Sequence, residues 1–316
     1  MSKGRGKSGR RGGEVTPPAE TATLTGALLL DKPTGVTSAK AVASVKRLLP
    51  RGVKIGHTGT LDPMASGLLV VLLGRATRLS RYVTGLSKSY TATARLGAVS
   101  DTLDAEGEIS ELEGDIPTKE EICAELQRFT GEILQTPPMA SAVKVDGERL
   151  YKAHRRGETV EREAREATVY AFELTGYDPN EPSASFEISC GGGTYVRTLI
   201  SDLLEAVGSG AYLTALRRTS VGGLRVEDAV SPDSLSPEEL PSRLVAMRGV
   251  VSHLPVVEVD DGERGMVGHG KSLPLDERFE AGEESPLRVE SGGELLAIYR
   301  VEGESARPEA VFCPAQ

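Results

Sequence analysis

The spacing of apolar residues divides the chain into a mixed α/β body and a β-rich end. ALLLDKP at 27–33 is a short continuous apolar run closed by proline, which predicts a buried strand. SAKAVASVKRLLP at 38–50 has apolar positions at helical spacing and stops at Pro50, predicting a helix. LLVVLLG at 68–74 predicts another buried strand, ATRLSRYVTG at 76–85 a helix, and KSYTATARLG at 88–97 a strand with alternating faces. TKEEICAELQRFTGEI at 118–133 predicts an amphipathic helix, opened by Thr118 with acids in its first turn. In SASFEISCGGGTYVRTLISDLLEAVGSGAYL at 183–213, a strand and a glycine turn lead into a helix. That helix has Leu199, Leu203 and Val207 as its apolar residues and ends at Gly208.

Past about position 250 the pattern shortens. LPVVEVDD, GMVGHGKSLPL and LRVESGGELLAIYRVEG are Val- and Leu-rich pieces separated by Gly, Pro and acids, the pattern of a small β-barrel. At the other end, MSKGRGKSGRRGGEVTPPAE is rich in glycine and basic residues and has nothing to pack. It reads as a disordered basic tail, serving either nonspecific RNA affinity or solubility. The expected division is therefore a tail over 1–22, an α/β body over 23–250 and a small unit over 251–316. With 316 residues, 39% of them hydrophobic, the chain can bury a real core.

Composition then excludes chemistries. The longest apolar run, LLVVLL, is too short to span a bilayer, and the first residues do not resemble a signal peptide, so a soluble cytoplasmic protein is expected. Cys123, Cys190 and Cys313 are odd in number and lack C-x-x-C spacing, and the four histidines (His57, His154, His253, His269) form no ligand cluster. Neither disulfide nor zinc is expected. The net charge of -9 is uneven: -8 falls on 251–316, +3 on 1–20 and -4 on the 230 residues between. A near-neutral body can hold a basic cleft. The segment from about 140 to 168 contains Lys144, Arg149, Lys152, His154, Arg155, Arg156, Arg162 and Arg165. Charge runs are usually solvated faces, but this one separates two strand-like pieces in an acidic chain, and RNA contact is the better reading.

GHTGTLDPMASGLL at 56–69 carries a single carboxylate, Asp62, with no Lys or Arg from Gly56 to Gly74. An Asp-Pro pair is a common helix start, the carboxylate accepting from orphan amides. A working carboxylate is the competing reading. Apolar neighbours would raise its pKa, so it would need a cation from elsewhere to stay charged.

GHTGTLDPMASGLLVVLLGRATRLSRYV resembles the catalytic motif of the TruB family of pseudouridine synthases. LLLDKPTGVTS at 28–38, KSYTATARLGAVSDTLDAEG at 88–107, QTPPMASAVKVDGERLYKAHRRG at 135–157 and CGGGTYVRTLISDLLEAVGSGAYLTALRRTSVG at 190–222 resemble its other blocks, in the family's order. The resemblance covers about residues 24–250. It implies an α+β pseudouridine synthase fold, with a central, mostly antiparallel sheet flanked by helices and loops. More weakly, it implies a PUA-like barrel at the end, whose acidity departs from what phosphate binding requires.

By the same resemblance, the chain isomerises uridine to pseudouridine at position 55 in the T-loop of tRNA. The base is flipped into a pocket, its N-glycosidic bond is broken and it is rejoined through carbon, without a cofactor. Asp62 matches the family's essential aspartate and Arg197 the arginine that pairs with it. Tyr90 matches the tyrosine that packs on the target base, Tyr195 a further active-site tyrosine, Leu216 an apolar pocket residue, and His57 a histidine near the flipped nucleotides. The basic segment at 140–168 resembles the family's RNA-clamping thumb. Lys144, Arg149, Lys152, Arg155 and Arg156 there, with Arg217 and Arg218, are the candidate RNA-backbone contacts. Tyr195 and Arg197 are two residues apart and share a face only on extended backbone, so the helix is expected to begin at or after Val196. The expected partner is the tRNA T-arm, bound by a monomer with no required protein partner and no membrane. Two alternatives are a non-catalytic tRNA-binding or tRNA-folding protein and a synthase with another RNA target. A third, a hydrolytic glycosidase, would need a second carboxylate.

Overall fold

The strands, in chain order, are β1 (Gly26–Lys32), β2 (Ile55–Thr58), β3 (Ser66–Leu73), β4 (Lys88–Leu96), β5 (Ala98–Ser100), β6 (Ile109–Glu111), β7 (Gly131–Gln135), β8 (Lys144–Val145), β9 (Glu148–Arg149), β10 (Arg165–Asp178), β11 (Ser183–Cys190), β12 (Ala211–Val221), β13 (Leu224–Arg225) and β14 (Leu244–Val245). Ten of them form one sheet in the order β14-β1-β3-β12-β4-β11-β10-β7, with β2 added to β3 and β13 to β12. The computed structural model describes residues 24–279 and 282–314, apart from 142 and 146. The tail expected over 1–22 lies outside them.

The unbroken apolar runs of β1 and β3 have a direct cause. Alternate residues of each strand enter two different cores: Leu28, Leu30, Leu69, Val71 and Leu73 face one, and Ala27, Leu29, Leu68, Val70 and Leu72 the other. A strand buried on both faces has no polar side to alternate with. Pairing is antiparallel throughout this sheet except where β12 meets β3, with Arg217 opposite Ser66 and Arg218 opposite Gly67.

Helices α1 (Ser38–Leu48), α2 (Ser80–Thr84), α3 (Lys119–Glu125), α4 (Leu150–His154) and α5 (Val196–Ala206) are set among these strands. α1 is capped by the Thr37 hydroxyl, and α3 by a capping box between Thr118 and Glu121. Two expected helices are shorter than the pattern predicts. Residues Gly74–Leu79 wind as a 3-10 helix before α2, and α3 gives way to a 3-10 turn at Leu126–Phe129. GEI then joins β7, because Gly131–Gln135 pairs with Arg165–Val169 of β10 and satisfies its backbone there. The basic insertion, made of the β8–β9 hairpin and α4, lies between β7 and β10.

The last strands are β15 (Val256–Glu258), β16 (Leu273–Pro274), β17 (Pro286–Ser291), β18 (Glu294–Glu302) and β19 (Ser305–Val311), in the order β15-β17-β18-β19-β16. They form a curled half-barrel. The second core runs across position 250: Val250, Val251, Leu254, Leu295, Ile298 and Phe312 share it with Leu29, Leu68, Val70 and Leu72. Among the described residues no helix is long and apolar enough to cross a membrane.

Candidate active site

Asp62 sits in the connection between β2 and β3, not at a helix start. The Ala65 amide donates to the Asp62 carbonyl at 3.1 Å, and β3 begins at Ser66. Three separate parts of the chain hold this loop. The Ser38 hydroxyl, on the first residue of α1, donates to the Leu61 carbonyl and accepts from its amide, both at 2.9 Å. The Gly35 amide and the Lys32 ammonium both donate to the Pro63 carbonyl, at 2.8 and 3.4 Å. Arg218 donates to Leu68 O at 2.7 Å and to Gly59 O at 3.1 Å, bridging the two ends of the loop.

The cation that an apolar-walled carboxylate requires is Arg197, the second residue of α5. Its Nη2 lies 2.8 Å from Asp62 Oδ2 and its Nη1 lies 3.1 Å from Asp104 Oδ2. The same guanidinium donates to Thr102 O and Ala140 O at 2.7 and 2.8 Å. Its side chain is 4% exposed. Burial raises the Asp62 pKa; Arg197 opposes that shift, and the Asp104 charge adds to it. One guanidinium thus serves two carboxylates.

Asp104 is not among the residues the sequence singles out, although it lies within the block KSYTATARLGAVSDTLDAEG. Its other oxygen accepts from Thr102 Oγ1 at 2.7 Å and from the Glu106 amide at 3.0 Å. Asp104 faces the protein rather than the pocket, and nothing in its local spacing marks it as a partner of Arg197.

A pocket of about 300 Å³ opens over Asp62, lined also by Tyr90, Tyr195, Arg197 and Leu216. That volume is at the small end of ligand sites and suits a nucleoside-sized group. Tyr90 projects from β4 and Leu216 from β12, both nearly buried. Burial raises the phenol pKa of Tyr90 and of Tyr195. Helix α5 begins at Val196, as expected, and Tyr195 before it is extended at φ -99 and ψ 102. Gln135 fixes that residue from β7, its side chain accepting from the Tyr195 amide at 3.0 Å and donating to its carbonyl at 3.3 Å. Lys88 is a further lining residue that the sequence does not single out. It donates to Thr84 O and Leu86 O at 2.9 and 2.7 Å, and burial lowers its pKa to about 8.

His57 is the candidate that does not line this pocket. It borders an adjoining groove of about 370 Å³ with Lys46 and Lys54. Burial and the nearby Arg218 charge lower its pKa and favour the neutral ring.

Two expected phosphate contacts are placed otherwise. Arg218 is 1% exposed and committed to two carbonyls of the Asp62 loop region. Arg217 forms a bidentate pair with Asp31 at 2.9 and 2.8 Å, which neutralises it. In the basic insertion Arg149, Lys152 and Arg155 are exposed, with Arg155 stacked on Tyr151. Arg156 instead forks onto Glu148 and Glu158. Lys144 belongs to β8, and its side chain is outside what the structure describes. Among the described residues no group of three or more His, Cys, Asp or Glu could hold a metal ion.

A family model described as TruB family pseudouridylate synthase, N-terminal domain, matches residues 46–196. A tRNA pseudouridine synthase B from Burkholderia lata is 44% identical over 297 residues, spanning 92% of this chain and 91% of that protein. One from Ralstonia nicotianae is 42% identical over 292 residues, spanning 90% and 93%. Among solved structures, a Cbf5-Nop10-Gar1 complex contains a chain of TM-score 0.71 and 27% identity, covering 93% of this chain and 86% of that one. An H/ACA RNP bound to a substrate RNA containing 2'-deoxyuridine contains a chain of TM-score 0.69 and 25% identity, with coverages of 93% and 86%.

Proposed function

The chain belongs to the TruB family of pseudouridine synthases, and we propose that it converts uridine to pseudouridine at position 55 in the T-loop of tRNA, using Asp62 as its working carboxylate. The observation that carries this reading is the Asp62–Arg197 ion pair at the floor of a nucleoside-sized pocket. A uridine within a folded loop must first be extruded, at a cost of a few kcal/mol that pocket contacts offset. Tyr90 and Tyr195 supply aromatic surface for the base and Leu216 an apolar one. Attack on the sugar, attack on the pyrimidine and removal of a sugar proton all need Asp62 ionised. Arg197 favours that form against the desolvation that would neutralise it. The tight loop anchoring by Ser38, Lys32 and Arg218 supports a fixed angle of approach.

Asp104 does not supply the second carboxylate that the hydrolytic alternative needs. A glycosidase's second carboxylate must reach the leaving group or a water, whereas Asp104 is 3% exposed and its oxygens are taken by Arg197, Thr102 and Glu106. The test is to incubate the protein with an unmodified tRNA transcript and map pseudouridine, comparing wild type with Asp62→Asn. Modification at position 55 by the wild type alone is expected; its absence there, or its survival in the variant, overturns the reading.

A further inference from the structure

Two residues that line the pocket over Asp62 carry a buried side-chain oxygen with no hydrogen-bond partner among the described residues: Ser141 Oγ and Thr194 Oγ1. Thr194 is only partly buried and has the Cys190 thiol beside it, a weak partner. Ser141 is 6% exposed. A buried hydroxyl left unpaired bears its desolvation penalty with no return, and such groups are few in native proteins. Where a fold retains one, a functional role is the first explanation to test.

Ser141 is held from both sides. Its carbonyl accepts from the Tyr151 amide of α4 at 3.1 Å, and the carbonyl of Ala140 before it accepts from Arg197 Nη2 at 2.8 Å. That nitrogen is the one paired with Asp62 Oδ2. Ser141 therefore joins the root of the basic insertion to the ion pair at the pocket floor, with its own backbone fixed and its hydroxyl uncommitted. The Oγ is turned away from solvent, but serine has alternative staggered positions about χ1, so rotation about one bond presents the hydroxyl to a ligand.

We propose that Ser141 hydrogen-bonds an oxygen of the extruded uridine, a uracil carbonyl or the ribose 2'-hydroxyl, and so pairs in the complex the group that the free protein leaves unpaired. The proposal rests on RNA delivering a uridine to this pocket. A serine O–H can donate to either oxygen. Because Ser141 Oγ gives up no protein partner to form this bond, the gain is not offset by a bond lost.

The test is Ser141→Ala in the full chain, with two readouts. The free variant should melt at or above the wild-type temperature, because an unpaired polar group is replaced by an apolar one. A fall of several degrees would reveal a structural bond to Ser141 and overturn the proposal. Affinity is measured in the Asp62→Asn background, to suppress turnover, for a T-arm hairpin carrying uridine, 2'-deoxyuridine or an abasic ribose at the target position. On the uridine hairpin, Ser141→Ala is expected to weaken binding about tenfold. That loss should vanish on the abasic hairpin if the partner is a uracil carbonyl, and on the 2'-deoxyuridine hairpin if it is the ribose hydroxyl. A loss that persists on both, or no loss on uridine, overturns the proposal. Failure of the uridine hairpin to bind even with Ser141 intact would refute the substrate assignment itself, so the two failures are distinct.

Discussion

Arg197 holds two carboxylates at once, and that division has a measurable consequence. In the proposed reaction Asp62 acts ionised, and burial holds its pKa above the usual aspartate value, so activity should be lost as pH falls through that raised value. Asp104 contributes to the elevation as a like charge. Asp104→Asn should lower the Asp62 pKa and move the acid limb of the kcat profile to lower pH. The plateau rate should fall at least tenfold, because Arg197 loses one of its anchors. A limb that moves to higher pH would contradict this electrostatic account. Arg218 separates two interpretations as cleanly. If it positions the Asp62 loop, Arg218→Lys should reduce kcat about a hundredfold while the Kd for tRNA stays within about twofold. A loss confined to Kd would restore the phosphate-contact role that its sequence context predicts. That context, two arginines beside a pocket leucine, carries no sign that one is buried under a loop some 150 residues upstream.

At the scale of elements, the parallel contact between β3 and β12 brings the Asp62 loop and Arg218 together. It depends on Gly67, which has φ +98 and no side chain; a Cβ there would overlap the Arg218 carbonyl oxygen. Gly67→Ala should therefore cost about 3 kcal/mol or more, from left-handed backbone strain and separation of the strands. Urea unfolding checks this, and a loss under 1 kcal/mol would show that the strands yield easily. β12 is also the least legible element. AYLTALRRTSV mixes small, polar and charged residues, and its alternation breaks at Thr214 and Ala215, where the pairing with β4 shifts register. By contrast β1, β3, β4, α1 and the start of α5 follow their local patterns closely. The helix expected over 118–133 ends early because strand pairing, a long-range term, outweighs helical spacing.

Across the whole molecule, the terminal half-barrel is a buttress for the catalytic sheet. Leu295, Ile298 and Phe312 share a core with Leu68, Val70 and Leu72 of β3, and each such side chain contributes about 1.5–3 kcal/mol by burial. Deleting 251–316 should thus remove stability comparable with that of a whole domain, about 5–15 kcal/mol. The truncated chain is expected to lose its cooperative thermal transition; a well-folded, active truncation would refute the buttress. All five arginines of that unit, Arg264, Arg278, Arg288, Arg300 and Arg307, are paired with acids, which fits its acidic composition and leaves little for phosphates. The sequence by itself determined the family, the mixed α/β class, the identity of Asp62 and Arg197 as a candidate pair, and the extended backbone at Tyr195. Local spacing and ordered motifs carry those. Only the tertiary structure decided that Arg197 is shared with Asp104, that Arg218 faces inward, that His57 opens on a neighbouring basic groove and that the segment after position 250 supports β3. Each depends on which distant segments pack together, and burial and charge pairing exist only after they have.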